Sequence, residues 1–170
     1  MELAKAIKLI QHNAHKEKSI WADLGCGDGL FTNALSHLLM EGSLIYAVDK
    51  NKNALKKVES KNEILVDKLA LDFVNDDLPF TNLSGILMAN SFHFIKDKNA
   101  FIKKAFQCLH KDGYLLMVEY DTNVSNFWVP YPISFTSLKE FFKHHNCLTE
   151  KLNEMPSRFN GIIYSAIITR

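Results

Sequence analysis

Ten residues, Ile20-Trp21-Ala22-Asp23-Leu24-Gly25-Cys26-Gly27-Asp28-Gly29, constrain the fold of this chain more than any others. A short apolar run ends on an acid, and three glycines then alternate at every second position. This is the pattern of a buried parallel strand breaking into a turn where a ligand lies directly against backbone. Glycine suits such a turn because it accepts positive φ and carries no Cβ to hold a ligand away.

The rest of the sequence alternates strand and helix signals. Leu3, Ala6, Ile7 and Ile10 follow helical spacing and predict an opening amphipathic helix. A strand at Ser19–Leu24 leads through the glycines into a helix from Leu30 to Met40, which Glu41-Gly42-Ser43 stops. Leu44–Val48 is a second, nearly all-apolar strand ending at Asp49, and Asn51 caps a helix running to Ser60. Third and fourth strands fall at Val66–Leu71 and Ser84–Ala89, with Leu78-Pro79-Phe80 marking the loop between them. Lys98–His110 reads as an amphipathic helix, Lys111-Asp112-Gly113 as a turn, and Tyr114–Val118 as a fifth strand. A proline-bearing loop, a helix at Ser137–Asn146 and two β-prone stretches, Leu148–Glu154 and Ile162–Thr169, complete the chain.

Such alternation predicts one α/β domain spanning residues 1–170, a mostly parallel sheet with helices on both faces. Ligands of such sheets bind at the carboxyl ends of the strands. Those ends carry Asp23, Asp49, Asp72, Asn90 and Glu119, a polar set brought to one edge. The last two stretches are too close for a helical crossover and predict an antiparallel pair. Its loop, Met155–Gly161, then returns to the glycine edge and sets Ser157, Arg158 and Phe159 at the rim.

Composition narrows the partners. A net charge of +1 argues against bulk DNA or an anionic membrane, and Glu59 and nearby acids dilute the cluster of Lys50, Lys52, Lys56, Lys57 and Lys61. No apolar run approaches the roughly 18 residues of a membrane span, and Glu2, Lys5 and Lys8 interrupt any signal-peptide pattern. Three widely spaced cysteines form no disulfide framework, which places the chain in a reducing cytoplasm. Cys108-x-His110 and His144-His145-x-Cys147 lack the paired spacing of a zinc site, so no metal is expected.

The glycine spacing separates two adenosine ligands. A dinucleotide turn wants G-x-G-x-x-G, but Leu30 stands where its third glycine belongs. Asp23 and Asp28 would also repel a pyrophosphate, whereas two acids suit a ligand carrying a sulfonium and an ammonium group. Asp49, 20 residues beyond Gly29, can accept both ribose hydroxyls. Asp72 offers an acceptor for an adenine amino group beside Phe73, a ring that taken alone reads more often as core than as a cofactor contact.

Asp23-Leu24-Gly25-Cys26-Gly27-Asp28-Gly29, with Asp49 and Asp72 after the next two strands, resembles class I S-adenosylmethionine-dependent methyltransferases of the small-molecule type. Asp76-Asp77-Leu78-Pro79-Phe80, Asn90-Ser91-Phe92-His93-Phe94 and Lys111-Asp112-Gly113-Tyr114-Leu115 match further segments of that family in order, from Ile20 to Asp121. The resemblance implies a Rossmann-like, doubly wound seven-stranded sheet, mostly parallel with an antiparallel C-terminal strand. It implies S-adenosylmethionine as cofactor, with Asp23, Gly25, Cys26, Gly27 and Gly29 around the methionine part and Asp49 and Lys50 around the ribose. Asp72 and Phe73 would frame the adenine, and Asn90 would line the floor near the sulfur. Ser84-Gly85 departs from the Phe-Asp that often opens the family's fourth strand, the loop Asn75–Phe80 is unusually acidic, and the 19 residues before Ile20 leave little N-terminal lid.

Methyl transfer from a sulfonium is an in-line displacement, so alignment and exclusion of water carry much of the catalysis. A base is needed only where the acceptor must lose a proton. His93 is the candidate base, with a capping or packing role as its alternative, and Glu119 and Tyr120 face the same space. The loop Thr122–Phe135 predicts an acceptor wall through Trp128 and Tyr131, and Arg158 offers a partner for an acceptor carboxylate or phosphate. The expected activity is methyl transfer to a small molecule. A cofactor-binding protein without transfer and an NAD-type oxidoreductase are the alternatives.

Overall fold

A computed structural model describes residues 1–12, 17–157 and 161–170. Arg158 and Phe159, expected at the rim, lie outside the described residues. The elements are α1 (Leu3–Ile10), β1 (Ile20–Leu24), α2 (Leu30–Ser36), β2 (Leu44–Asp49), α3 (Lys52–Leu55), β3 (Leu65–Ala70), β4 (Leu83–Ala89), a 3-10 turn at Phe92–Phe94, α4 (Lys98–Cys108), β5 (Leu109–Tyr120), α5 (Phe135–Lys143), β6 (Leu148–Pro156) and β7 (Ile162–Thr169). Among the described residues seven strands form one sheet in the order β3-β2-β1-β4-β5-β7-β6. β1 to β5 are parallel, and β7 runs antiparallel to both β5 and β6. β6 therefore points the same way as the parallel set, and its end returns to the glycine edge.

Alternate residues of the central strands feed two cores, as the period of a strand requires. Trp21, Ile45, Leu87 and Leu116 pack with α1 and α2 on one face, including Leu9, Ile10 and Leu35. Ile86, Met88, Leu115 and Met117 pack on the other with Ile102 of α4 and Leu138 and Phe142 of α5. Ser134 caps α5 by accepting the Ser137 N–H at 3.2 Å, which starts that helix two residues earlier than expected. Among the described residues no helix is long and apolar enough to cross a membrane.

Other expectations change too, and α2 stops at Ser36 rather than Met40. The helix expected from Asn51 to Ser60 is a single turn, Lys52–Leu55. Val58 leaves it to pack on Gly29, where an added Cβ would stand 3.0 Å from the valine. The segment Lys111–Gly113 lies within β5: the pairing passes from Leu83↔Leu109 to Gly85↔Tyr114, so the extra residues bulge out of the ladder. Finally, the Ser84-Gly85 departure at the start of β4 has a packing reason. A Cβ on Gly85 would sit 2.4 Å from the Trp21 indole, which fills that space and meets Tyr114 edge-on at 5.3 Å.

Candidate active site

β1 ends beneath the glycine turn. Gly25 and Cys26 both donate their N–H to the Val48 carbonyl, which pins the turn to β2. Gly25, Gly27 and Gly29 all take positive φ. At Gly25 a Cβ would strike Ser91 at 2.6 Å, whereas at Gly27 it would meet nothing within 4 Å. The turn is thus packed below and open above. Gly27 donates its N–H to Asp49 Oδ2 and Asn51 donates its N–H to Asp49 Oδ1, both at 2.8 Å, so Asp49 braces the turn from the end of β2.

Asp23 is fully buried. Its Oδ2 accepts the Thr32 hydroxyl at 2.6 Å, while Oδ1 has no partner among the described residues. Burial pushes its carboxyl up to about 7, the Asp49 charge adds to this, and the Thr32 hydrogen bond opposes it. On the adjacent strand, Asn90 follows β4 with φ of 54°, and its Oδ1 is likewise buried and unpartnered among the described residues. Two buried acceptors left open on neighbouring strand ends are costly unless a donor arrives. A ligand ammonium beside a sulfonium is such a donor, and the open face of Gly27 leaves room for it.

The remaining sequence candidates take varied places. Asp72 accepts the Asn75 amide and the Val74 N–H, both at 3.1 Å, with Lys50 3.5 Å away. Partial burial pushes its carboxyl up, but those two hydrogen bonds and the lysine outweigh it and hold it below the usual range. Phe73 is buried under Gly25 and edge-on to Phe101, within the core. Burial, and then the charges of Asp23 and Asp49, push the Cys26 thiol far up, so it stays protonated. Asp28, which also belongs to the motif, is exposed and pairs with Lys57 at 2.9 Å. The acid left facing the cradle from β1 is Asp23.

At the ends of β4 and β5 lies a buried carboxylate–imidazole pair. Glu119 Oε2 meets His93 Nδ1 at 2.6 Å, and Oε1 accepts the N–H groups of Phe92 and His93 at 2.8 and 3.2 Å. Glu119 therefore fixes both the turn and the ring, leaving His93 Nε2 without a hydrogen-bond partner among the described residues. The ring lies 6.0 Å from that of Tyr120, whose hydroxyl is pushed up by burial and then by Glu119. Tyr120 and Asn90 line a cavity of about 320 Å³, together with Leu30 and Phe31 of α2, Met155 of β6 and Ile163 of β7.

The first turn of α1 also reaches that cavity through Glu2 and Lys5, so the N-terminal segment covers more than its length suggested. Nothing in their sequence pattern signals this, because the turn precedes the buried stripe of its own helix. Trp128 and Tyr131 are not among the residues lining this cavity. Trp128 is exposed and packs edge-on to Phe127, while Tyr131 donates its N–H to the His93 carbonyl and accepts from Lys98 through its own. No group of three or more His, Cys, Asp or Glu that could hold a metal occurs among the described residues.

A family model described as a methyltransferase domain matches residues 22–117, which run from the glycine-turn strand into β5. The chain belongs to the methyltransferase domain family. This methyltransferase domain uses S-adenosylmethionine. No curated protein sequence matches it. Among solved structures, it is similar to a SAM-dependent methyltransferase from Leishmania major at 19% identity, covering 89% of this chain and 65% of that one, with a TM-score of 0.70. A SAM-dependent methyltransferase from Aquifex aeolicus is 18% identical over 99% of this chain and 100% of its own, with a TM-score of 0.65. One from Methanosarcina mazei is 14% identical, covering 94% and 95%, with a TM-score of 0.68. At these identities the likeness is one of fold. The methyltransferase spans just under two thirds of the Leishmania protein and the full length of the Aquifex one.

Proposed function

We propose that residues 1–170 act as one domain that methylates a small molecule held in the cavity between α1, α2 and the β6–β7 hairpin. The observation that carries this reading is the pair of unpartnered buried oxygens, Asp23 Oδ1 and Asn90 Oδ1, with Asn90 also lining the cavity. Asp23 and the glycines at 25, 27 and 29 hold the methionine part of the cofactor, and Cys26 packs beneath it as a neutral thiol. Asp49 takes the ribose, with Lys50 beside it. Asp72 and the Phe73 loop face the adenine, and Asn90 marks the sulfur end.

When bound, S-adenosylmethionine supplies an electrophilic methyl on a sulfonium that leaves readily. The work left to the protein is orientation and exclusion of water. Leu30, Phe31 and Ile163 provide the apolar walls for that purpose. His93 is buried and does not line that cavity, so it serves as base only for an acceptor that reaches the ring behind Tyr120; Glu119, hydrogen-bonded at Nδ1, then stabilises the imidazolium that forms. Tyr120, with a phenol held neutral, offers a donor to the acceptor beside it. A cavity of about 320 Å³ suits a metabolite and supports neither a nucleic-acid nor a membrane-bound acceptor. The buried, unbridged cysteines support a reducing compartment.

Calorimetric titration of the intact chain with S-adenosylhomocysteine and NAD in parallel tests the cofactor reading. Binding of the first without the second is expected, and binding of NAD alone would end it. Transfer of labelled methyl to a panel of small metabolites separates an enzyme from a protein that only binds the cofactor.

A further inference from the structure

Lys104, on α4, belongs to no motif in the sequence, yet its ammonium is wholly engaged with one loop. Its Nζ donates to the carbonyls of Phe73 at 3.1 Å, Val74 at 3.3 Å and Asp76 at 2.7 Å. An ammonium has three donors, and three backbone oxygens of one short segment take them. No carboxylate pairs with it among the described residues, so its role toward the loop is to gather carbonyls. The segment it gathers begins directly after Asp72. Asp72 in turn accepts from Val74 and Asn75, and donates its own N–H to Asp76 Oδ2 at 3.0 Å. Phe101, one turn earlier on α4, receives the Phe73 ring edge-on at 6.0 Å. α4 therefore holds this loop by its backbone through Lys104 and by its ring through Phe101.

We propose that Lys104 is the positioning residue for adenine recognition: by drawing in the Phe73–Asp76 backbone, it aims the Asp72 carboxylate at the exocyclic amino group of the base. This rests on the reading above that the Asp72 loop faces the adenine. Without the ammonium the three carbonyls lose a shared donor, and the turn that orients Asp72 opens. The Asp49 brace and the glycine turn, which stand on β1 and β2, are left as they were.

The test compares wild type, Lys104→Met and Lys104→Arg in the intact chain. Calorimetry measures affinity for S-adenosylhomocysteine and for S-inosylhomocysteine, in which a carbonyl oxygen replaces the adenine amino group. Wild type is expected to prefer the adenosyl ligand by about tenfold or more, the effect of one well-placed hydrogen bond. Lys104→Met loses that preference through weaker adenosyl binding, while its inosyl affinity stays within about twofold. Lys104→Arg, whose guanidinium can still donate to the carbonyls, retains most of the preference. Full discrimination in Lys104→Met, or a parallel loss of both ligands, would overturn the proposal. A wild type that binds both ligands equally removes the adenine reading of the loop, and Lys104 with it, while sparing the cofactor. A wild type that binds neither refutes the proposed function itself.

Discussion

At the scale of single residues, Asp23 links stability to binding. Its carboxyl, raised to about 7 in the fold, has an ordinary value near 4 in an unfolded chain. Between those values the folded chain keeps a proton that the unfolded chain has released. The stabilisation is full below about 4 and is lost as pH rises through about 7. The ligand's ammonium favours the carboxylate, so affinity for S-adenosylhomocysteine is expected to climb with pH up to about 7 and then flatten, with proton release on binding. Calorimetry across that range in buffers of differing ionisation enthalpy measures both. Asp23→Asn should abolish the pH dependence and weaken binding by about tenfold or more, while raising the melting temperature at pH 8, because a buried charge is removed. Glu119 makes the opposite case. Its carboxylate satisfies two backbone N–H groups and an imidazole, so Glu119→Ala should cost about 3 kcal/mol in a denaturant titration. His93→Gln should lower methyl turnover with little change in S-adenosylhomocysteine affinity; unchanged turnover would leave His93 with a packing role alone.

At the scale of elements, the strands were readable from sequence and the short helices were not. β2 and β4 are buried on both faces, and that burial writes continuous apolar runs. The ends of α3 and the bulge in β5 depend on contacts from other elements: Val58 turns in because Gly29 leaves it room, and Gly113 lies so near the Leu83 carbonyl that a Cβ would stand 2.7 Å from it. The Trp21–Gly85 contact joins β1 to β4 in the same way. Trp21→Ala should cost about 3–5 kcal/mol by leaving a cavity, and Gly85→Val about 1–3 kcal/mol or more by overpacking against the indole. Because the two residues share one space, urea melts of the double variant should show less than the summed loss.

At the scale of the molecule, the sheet order gathers Asp23, Asp49, Asn90 and Glu119 at one edge, with Asp72 just beyond β3. The cavity beside them is assembled from the starts of α1 and α2, the ends of β4 and β5, and the β6–β7 hairpin. Filling it should separate acceptor binding from cofactor binding. Met155→Trp is expected to suppress methyl transfer to small metabolites while S-adenosylhomocysteine affinity changes by less than about twofold. Loss of both together would place the cofactor, rather than the acceptor, in that space.

The sequence by itself determined the family, the parallel direction of the first five strands and the glycine turn, because backbone conformation and strand burial constrain residue type locally. Tertiary structure decided the surroundings of the acids beside that turn: Asp28 turned outward to Lys57, and Asp23 was left buried with an oxygen unpartnered among the described residues. It also brought α1 over the cavity and Lys104 onto the Asp72 loop. Those contacts join residues far apart in the chain, and a lysine or a glutamate on a helix carries no local sign of the carbonyl or cavity it will meet. Their meaning arises only when distant elements pack.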